Sequence, residues 1–390
     1  MDAIELLDKI QKGESSTVQF KVRVNDAYKV GTEMVAFTNT KGGEIIIGVD
    51  DKTGELKGLS FNEIEETNEL LANAATNNVK PPIFIITETV GINGNNIIVA
   101  EISEGINKPY TDNKGIIWVK NGSDKRRVTS REEMARLLQS SGNLYADETI
   151  IQGSTSNDIN NELFKKFVSN KTGKTINELK LTIDEILSNM GFMKDNQLTL
   201  AGLLLFGKNP QSFKPTFTVQ CVSFVGNEIS TTKYRDKEAP FTGNLSELYE
   251  QSITFIIRNL RKIQVNEGFN TTSKLEIPKE PIEEFVVNAL IHRDYFINSS
   301  VKIFIFDDRI EIISPGSLPN TLTIEQIKSG ISVVRNPVLF SNARYIMPFV
   351  GIGTGIPRAL EIYPDIELIN NKEKEQFISI IHRKHNQAGA

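Results

Sequence analysis

One cysteine, Cys221, stands in 390 residues, so neither an intramolecular disulfide framework nor a zinc cluster built on cysteine pairs is available. No window approaches the ~18 continuous apolar residues that a membrane-spanning helix needs. No Gly-x-x-x-x-Gly-Lys-Ser/Thr loop occurs, which removes a translocating motor of the P-loop kind. An excess of positive charge is also missing. The formal net charge of -5 argues against indiscriminate coating of nucleic acid, while leaving room for a local basic face. The opening MDAIELLDKIQKGES is acidic and amphipathic, unlike the basic segment and long apolar run of a secretion signal. Internal repeats and low-complexity tracts are absent too. The expectation is a cytoplasmic, non-membrane protein with two or three domains at ~150 residues each.

What is present alternates. EIIIGVDD (44–51), IFIITETV (83–90), NIIVAEI (96–102) and GIIWVKNG (115–122) read as strands, and YKVGTEMVAFTNTKGG (28–43) as a helix that stops at Gly42 and Gly43. Between 141 and 161 the composition turns polar and short of core residues, which reads as a linker. Residues 162–215 look mostly helical, a winged-helix-like connector. From 216 to 390 strands and helices alternate again. The fold class expected is α/β (α+β).

In the first 140 residues, Glu14, Gln19, Lys21, Glu33 and Asp50 with Asp51 gather around GESSTVQFK and AFTNTKGGEIIIGVDD. These two motifs at this spacing resemble the Schlafen AlbA-like domain, a nucleic-acid-binding α/β fold. In nuclease members the resemblance implies three carboxylates at the positions of Glu14, Gln19 and Asp50 or Asp51, because phosphodiester hydrolysis near neutral pH usually needs a divalent cation held by anionic oxygens. Gln19 supplies a neutral carbonyl, so the site is one charge short. Binding without cleavage is therefore the expectation, with Gln19 and Lys21 on the contact surface. The alternative is a metal-dependent endonuclease holding its cation on Glu14 and Asp50, with Glu33 or Asp51 replacing the missing acid.

WVKNGSDKRRVTSREEMARL (118–137) gathers Lys120, Lys125, Arg126, Arg127 and Arg131 around a turn beside Trp118. Such a cluster suits phosphate contacts, which add salt-dependent affinity but little sequence preference and do not tell DNA from RNA.

In EEFVVNALIHRDY (283–295), Glu284, Asn288 and His292 recur every four residues and share one helical face. A buried amide without partners costs on the order of 1 to 3 kcal/mol, so Asn288 between Val287 and Ala289 asks for a ligand. The stretch resembles the N-box of the GHKL ATPases. That resemblance implies ATP and Mg as ligands, with Asn288 holding the ion and Glu284 activating the attacking water. FDDRIEIISPGSLP (306–319) lies where the family reads adenine, with Ser314 in place of the usual Asp and Gly316 following. GIGTGIPR (351–358) resembles the second glycine box, with Gly351, Gly353, Thr354 and Gly355 as candidates to cradle phosphates. Arg335-Asn336-Pro337 completes a divergent GHKL-like α/β sandwich of the kind that follows AlbA-like domains in bacterial proteins often labelled RecG-like helicases.

The reading is a nucleic-acid-binding protein, a transcriptional regulator or defence protein, whose binding is modulated by ATP and Mg and which is a possible ATPase. GHKL resemblance also implies a homodimer. A dimeric interaction scaffold with both sites degenerate is the remaining alternative.

Overall fold

The computed structural model describes residues 2–142, 144–230, 232–264, 273–319, 322–349, 351 and 353–383. It divides into two compact units, Met1–Leu144 and Tyr145–Ala390, and both are α/β.

The first unit is built on a four-stranded sheet in the order Val18–Lys21, Gly43–Ile47, Asn95–Ile102, Ile85–Ile92. The first pair is parallel and the others antiparallel. The run Ile45-Ile46-Ile47 is fully buried because the sheet is covered on both faces. Ile45 and Ile47 join Met34 and Phe37 of helix Ala27–Asn39 and Leu71 of helix Phe61–Asn73, while Ile46 joins Leu6 of helix Ala3–Lys12. Successive side chains of a strand point to opposite faces, so a continuous apolar run is what two covered faces require. Helix Ala27–Asn39 is opened by Asp26, whose carboxylate accepts from Tyr28 N and Lys29 N, and it stops as expected before Gly42. Gly42 takes φ of +72°, and its N donates to Phe37 O. A hairpin, Trp118–Asn121 with Asp124–Arg127, follows the sheet.

The second unit contains a six-stranded sheet in the order Tyr234–Lys237, Val219–Phe224, Val301–Ile305, Arg309–Pro315, Gln376–His382, Ile366–Asn371. Its second and third strands, Val219–Phe224 and Val301–Ile305, pair in parallel and the other pairs are antiparallel. Helices Leu245–Asn259 and Lys279–Ile291 share one apolar core with it. The segment 162–215 contains helices Asn161–Thr172, Ile183–Asn189 and Leu200–Phe206 around Phe164, Phe167, Phe192 and Phe206, and it shares that same core, so it belongs to the second compact unit.

The stretch 141–161 differs from the linker expected. The second unit begins at Tyr145, and Ala146, Ile151 and Ile159 are buried in its core. The polar residues that gave the linker appearance are doing local work: Thr155 and Asp158 form a capping box, and buried Asp147 accepts at Oδ2 from Leu339 N at 2.9 Å. Among the described residues no helix is long and apolar enough to cross a membrane.

Candidate functional site

Helix Lys279–Ile291 carries Glu284 and Asn288 one turn apart, and Asn288 Nδ2 donates to Glu284 Oε1 at 2.9 Å. With its amide committed, Asn288 keeps its carbonyl oxygen for a ligand or cation. Burial pushes the Glu284 carboxyl above its ordinary range, partly offset by the Asn288 hydrogen bond and the Arg358 charge. Arg358 Nη2 lies 3.7 Å from Glu284 Oε2.

Gly355 opens helix Gly355–Ile362 against that carboxylate. A Cβ at 355 would fall 1.8 Å from Glu284 Oε1, so only glycine permits the approach. Gly353 has φ of +80° and packs on the Gly330 carbonyl, where a Cβ would sit 2.5 Å away. Gly351 has φ of +71°, and Ile352 lies outside the described residues. Thr354 is the N-cap residue without a side-chain capping bond. The glycine stretch thus brings a helix start, with its unsatisfied amides, to the Glu284–Asn288 pair.

These groups line one cleft of about 1120 Å³, including space open to solvent. Its apolar wall includes Ile312, Leu318, Ile327 and Phe377. Ser314 stands on the same wall, 6% exposed, and its Oγ donates to Ala289 O at 3.1 Å. Its hydroxyl proton is spent, so toward a ligand it offers only lone pairs. Gly316, with φ of +103°, lets the chain turn past Asp294.

His292, third in the Glu284–Asn288 spacing, is half-buried against Phe340 and Phe349 at ring distances of 5.6 and 6.3 Å. Burial pushes it down to about 4, so it is a neutral packing residue at pH 7. Arg335-Asn336-Pro337 finishes the helix. Asn336 Nδ2 donates to Ile291 O and Arg293 O at 2.8 and 2.9 Å, Arg335 Nη2 to Ser317 O at 2.8 Å, and Pro337 starts the next helix. One of the orphan carbonyls that end the helix, Ile291 O, is thereby satisfied. The sequence missed Arg358; its signal was a cation three residues after the glycine that opens a helix.

The cleft suits a nucleotide in kind: an apolar wall for a base, helix-start amides for phosphate, and the Asn288 carbonyl for a cation. Among the described residues no group of three or more His, Cys, Asp or Glu side chains could hold a metal by itself.

In the first unit Gln19 is 7% exposed. Its Nε2 donates to Glu14 Oε1 at 2.5 Å, and its Oε1 accepts from Lys120 Nζ at 2.8 Å. Glu14 Oε1 also accepts from Phe20 N at 2.8 Å. Lys120, whose side chain is 1% exposed, lies 3.8 Å from Glu33 Oε2, donates to Ser123 O, and sits 4.9 Å above the Phe37 ring. Burial pushes its ammonium below the ordinary lysine range, against the raising charges of Glu33 and Glu14. Lys125 Nζ donates to Glu33 Oε1 at 2.6 Å. The result is an open chain of contacts, Glu14, Gln19, Lys120, Glu33, Lys125, in which neutral Gln19 bridges a carboxylate to an ammonium and Glu33 lies between two ammonium groups.

Asp50 does not join it. Its Oδ1 accepts from Lys52 N, Thr53 N and Thr53 Oγ1, and these bonds hold its carboxyl below the usual carboxylate range. Among the described residues no hydrogen bond or ion pair links Asp50 to Glu14 or Gln19. The basic cluster also divides. Arg126 is paired with Glu133 through both its terminal nitrogens, and Lys120 is an internal strut. Arg127 and Arg131 are exposed, and Lys21 is half-buried.

Comparison with known families follows these two centres. Residues 14–129 match the Schlafen AlbA_2 family model. Residues 298–380 match HATPase_c_4, described as "Putative ATP-dependent DNA helicase recG C-terminal". Residues 135–219 match a domain of unknown function, DUF8451. The chain therefore carries a Schlafen AlbA_2 domain toward its N-terminus and a RecG C-terminal-type HATPase_c_4 domain toward its C-terminus, as the motifs implied. The AlbA_2 match spans the Gln19 network; the HATPase_c_4 match includes Ser314, Gly316 and the Gly351–Gly355 stretch, while helix Lys279–Ile291 lies just before it. No curated protein matches the chain. Among solved structures, the DIP2311 protein of Corynebacterium diphtheriae is 19% identical over 95% of this chain and 76% of its own, with a TM-score of 0.46. The N-terminal domain of a "Putative ATP-dependent DNA Helicase RecG-related Protein" from Nitrosomonas europaea is 23% identical over 34% of this chain and 96% of its own, with a TM-score of 0.25.

Proposed function

We propose that this protein binds nucleic acid through its AlbA_2 domain and a nucleotide in the cleft of its second unit, and that the nucleotide sets the strength of nucleic-acid binding. The observation that carries the nucleotide reading is the Glu284–Asn288 pair held against Gly355 at a helix start inside a largely apolar cleft. In this reading the helix-start amides and Arg358 bind phosphates, Asn288 Oδ1 positions a magnesium ion, and the apolar wall with Ser314 takes the base. Bound magnesium would neutralise phosphate charge. Glu284, partly desolvated, orients a water and accepts its proton if hydrolysis occurs. The role that fits is a nucleotide-responsive regulator of nucleic-acid transactions, such as a transcriptional regulator.

The geometry of the first unit supports binding rather than cleavage. Gln19 joins the Glu14 carboxylate to the Lys120 ammonium, and Asp50 is committed to its own turn.

The test is calorimetric titration of ATP with Mg²⁺ into the full chain and into Asn288→Ala. Saturable binding that weakens at least tenfold in the variant is expected. Equal binding by both proteins, or by neither, would overturn the cleft assignment.

A further inference from the structure

Asp112 is 1% exposed, and both of its oxygens are occupied. Oδ1 accepts from Lys114 N and Ile116 N at 2.9 Å each. Oδ2 accepts from Tyr28 Oη at 2.9 Å and from Trp118 Nε1 at 3.0 Å. Burial alone would push the Asp112 carboxyl up, yet these bonds hold it below the usual carboxylate range, so it stays an acceptor for all four donors. One carboxylate oxygen thus pins the polar edges of two aromatic rings that lie 90 positions apart in the sequence. Both rings remain partly exposed. Each carries a cation: Lys114 Nζ lies 4.1 Å from the Tyr28 ring centre, and the Arg127 guanidinium 5.1 Å from that of Trp118. Lys114 and Arg127 are themselves exposed.

We propose that Tyr28 and Trp118, fixed on Asp112, form a base-stacking platform through which the AlbA_2 domain selects unpaired, single-stranded nucleic acid over duplex. The proposal rests on the nucleic-acid-binding reading above and narrows it to one class of ligand. An unstacked base that takes a ring face displaces the cation lying over it, and that exposed cation can then meet the phosphate that follows. A duplex keeps its bases inside and offers phosphates alone, whose attraction depends on how many free cations face them. Here that supply is thin, because Lys120, Lys125 and Arg126 are tied to acids of the same domain. What the surface adds is ring area whose orientation is already set, so little side-chain freedom is lost on binding.

Trp118 is the sole tryptophan of the chain, so indole emission reports this site alone. The full chain is titrated with end-labelled single-stranded DNA, single-stranded RNA and duplex DNA of equal length. Label anisotropy reads binding, and Trp118 emission reads stacking. The expected result is saturable quenching by a single strand at the same midpoint as the anisotropy, with duplex bound at least fivefold more weakly. Tyr28→Leu should weaken single-strand binding about tenfold and leave duplex binding unchanged, whereas Tyr28→Phe, which keeps the ring, should lose less. Thermal melting checks that each variant is folded; if Tyr28→Leu is not, the native protein and Tyr28→Phe still decide. Oligonucleotide binding with unchanged Trp118 emission, or equal affinity for duplex, would overturn the platform while leaving nucleic-acid binding intact. No binding of any oligonucleotide would overturn both.

Discussion

Gln19 Nε2 donates to Glu14 Oε1 at 2.5 Å, and the other end of the same amide accepts from Lys120. An uncharged amide offers a donor to a carboxylate and an acceptor to an ammonium at once. The pair therefore gives an uncharged residue a role where a nuclease of this family pattern would have an acid: Gln19 joins the Glu14 carboxylate to the Lys120 ammonium.

Gln19→Glu reverses that. A second carboxylate against Glu14 raises the pKa of one of the two and leaves the cluster one negative charge in excess. The variant should be less stable than the native protein by about 1 to 3 kcal/mol and should regain stability with Mn²⁺, whereas the native protein should not respond. Melting temperatures with and without Mn²⁺ check this. An equal response of the two proteins would show that position 19 does not govern cation affinity.

Lys120 and Arg126 lie six residues apart and should behave differently. Removing the buried ammonium with Lys120→Met leaves the Gln19 carbonyl and Ser123 O without their donor and Glu33 with Lys125 alone, a loss of about 3 kcal/mol. Arg126→Ala breaks a pair whose arginine is about half exposed and should cost under about 1 kcal/mol. Urea denaturation of both variants measures the contrast.

Gly355→Ala should weaken nucleotide binding even though it adds one methyl group. That carbon would fall 1.8 Å from Glu284 Oε1, so either the carboxylate or the helix start must move. Gly153, with no neighbour within 4 Å of an added Cβ, is the control: Gly153→Ala takes only the strain of its φ of +80° and should leave nucleotide titration unchanged.

Asp147 gives the second unit a pH dependence. Burial raises its pKa from 3.8 to about 6, and its Oδ1 is buried without a hydrogen-bond partner. Between these values the folded state holds more protons than the unfolded state, so stability falls as pH rises through that window. The loss is on the order of 2 to 3 kcal/mol between pH 4 and pH 7. Asp147→Asn should remove this slope and leave the variant at least as stable as the native protein at pH 7. Denaturation midpoints of both proteins across the window test it.

The sequence carried the architecture because its signals were local. Alternation and apolar runs marked the strands, Gly42 the end of helix Ala27–Asn39, and the four-residue spacing the shared face of Glu284 and Asn288. Asp50 was open to a local reading as well: an aspartate three residues before Thr53 closes its own turn. The misread linker shows how single apolar residues, Ile151 and Ile159, reach a core from a polar stretch. What sequence could not supply was pairing at a distance. Lys120 lies 101 positions from Gln19, and Asp112 84 from Tyr28. Basic residues that look alike in LysArgArg are exposed or neutralised according to acids placed by the fold.

The central claim is that a nucleotide in the cleft alters nucleic-acid binding, and the direct measurement is the affinity of labelled single-stranded oligonucleotide with and without a non-hydrolysable ATP analogue and Mg²⁺, on the native chain and Asn288→Ala. A change of at least fivefold in the native chain, a coupling of about 1 kcal/mol, that disappears in Asn288→Ala is the predicted result; identical affinities in the native chain with and without the analogue would contradict the account.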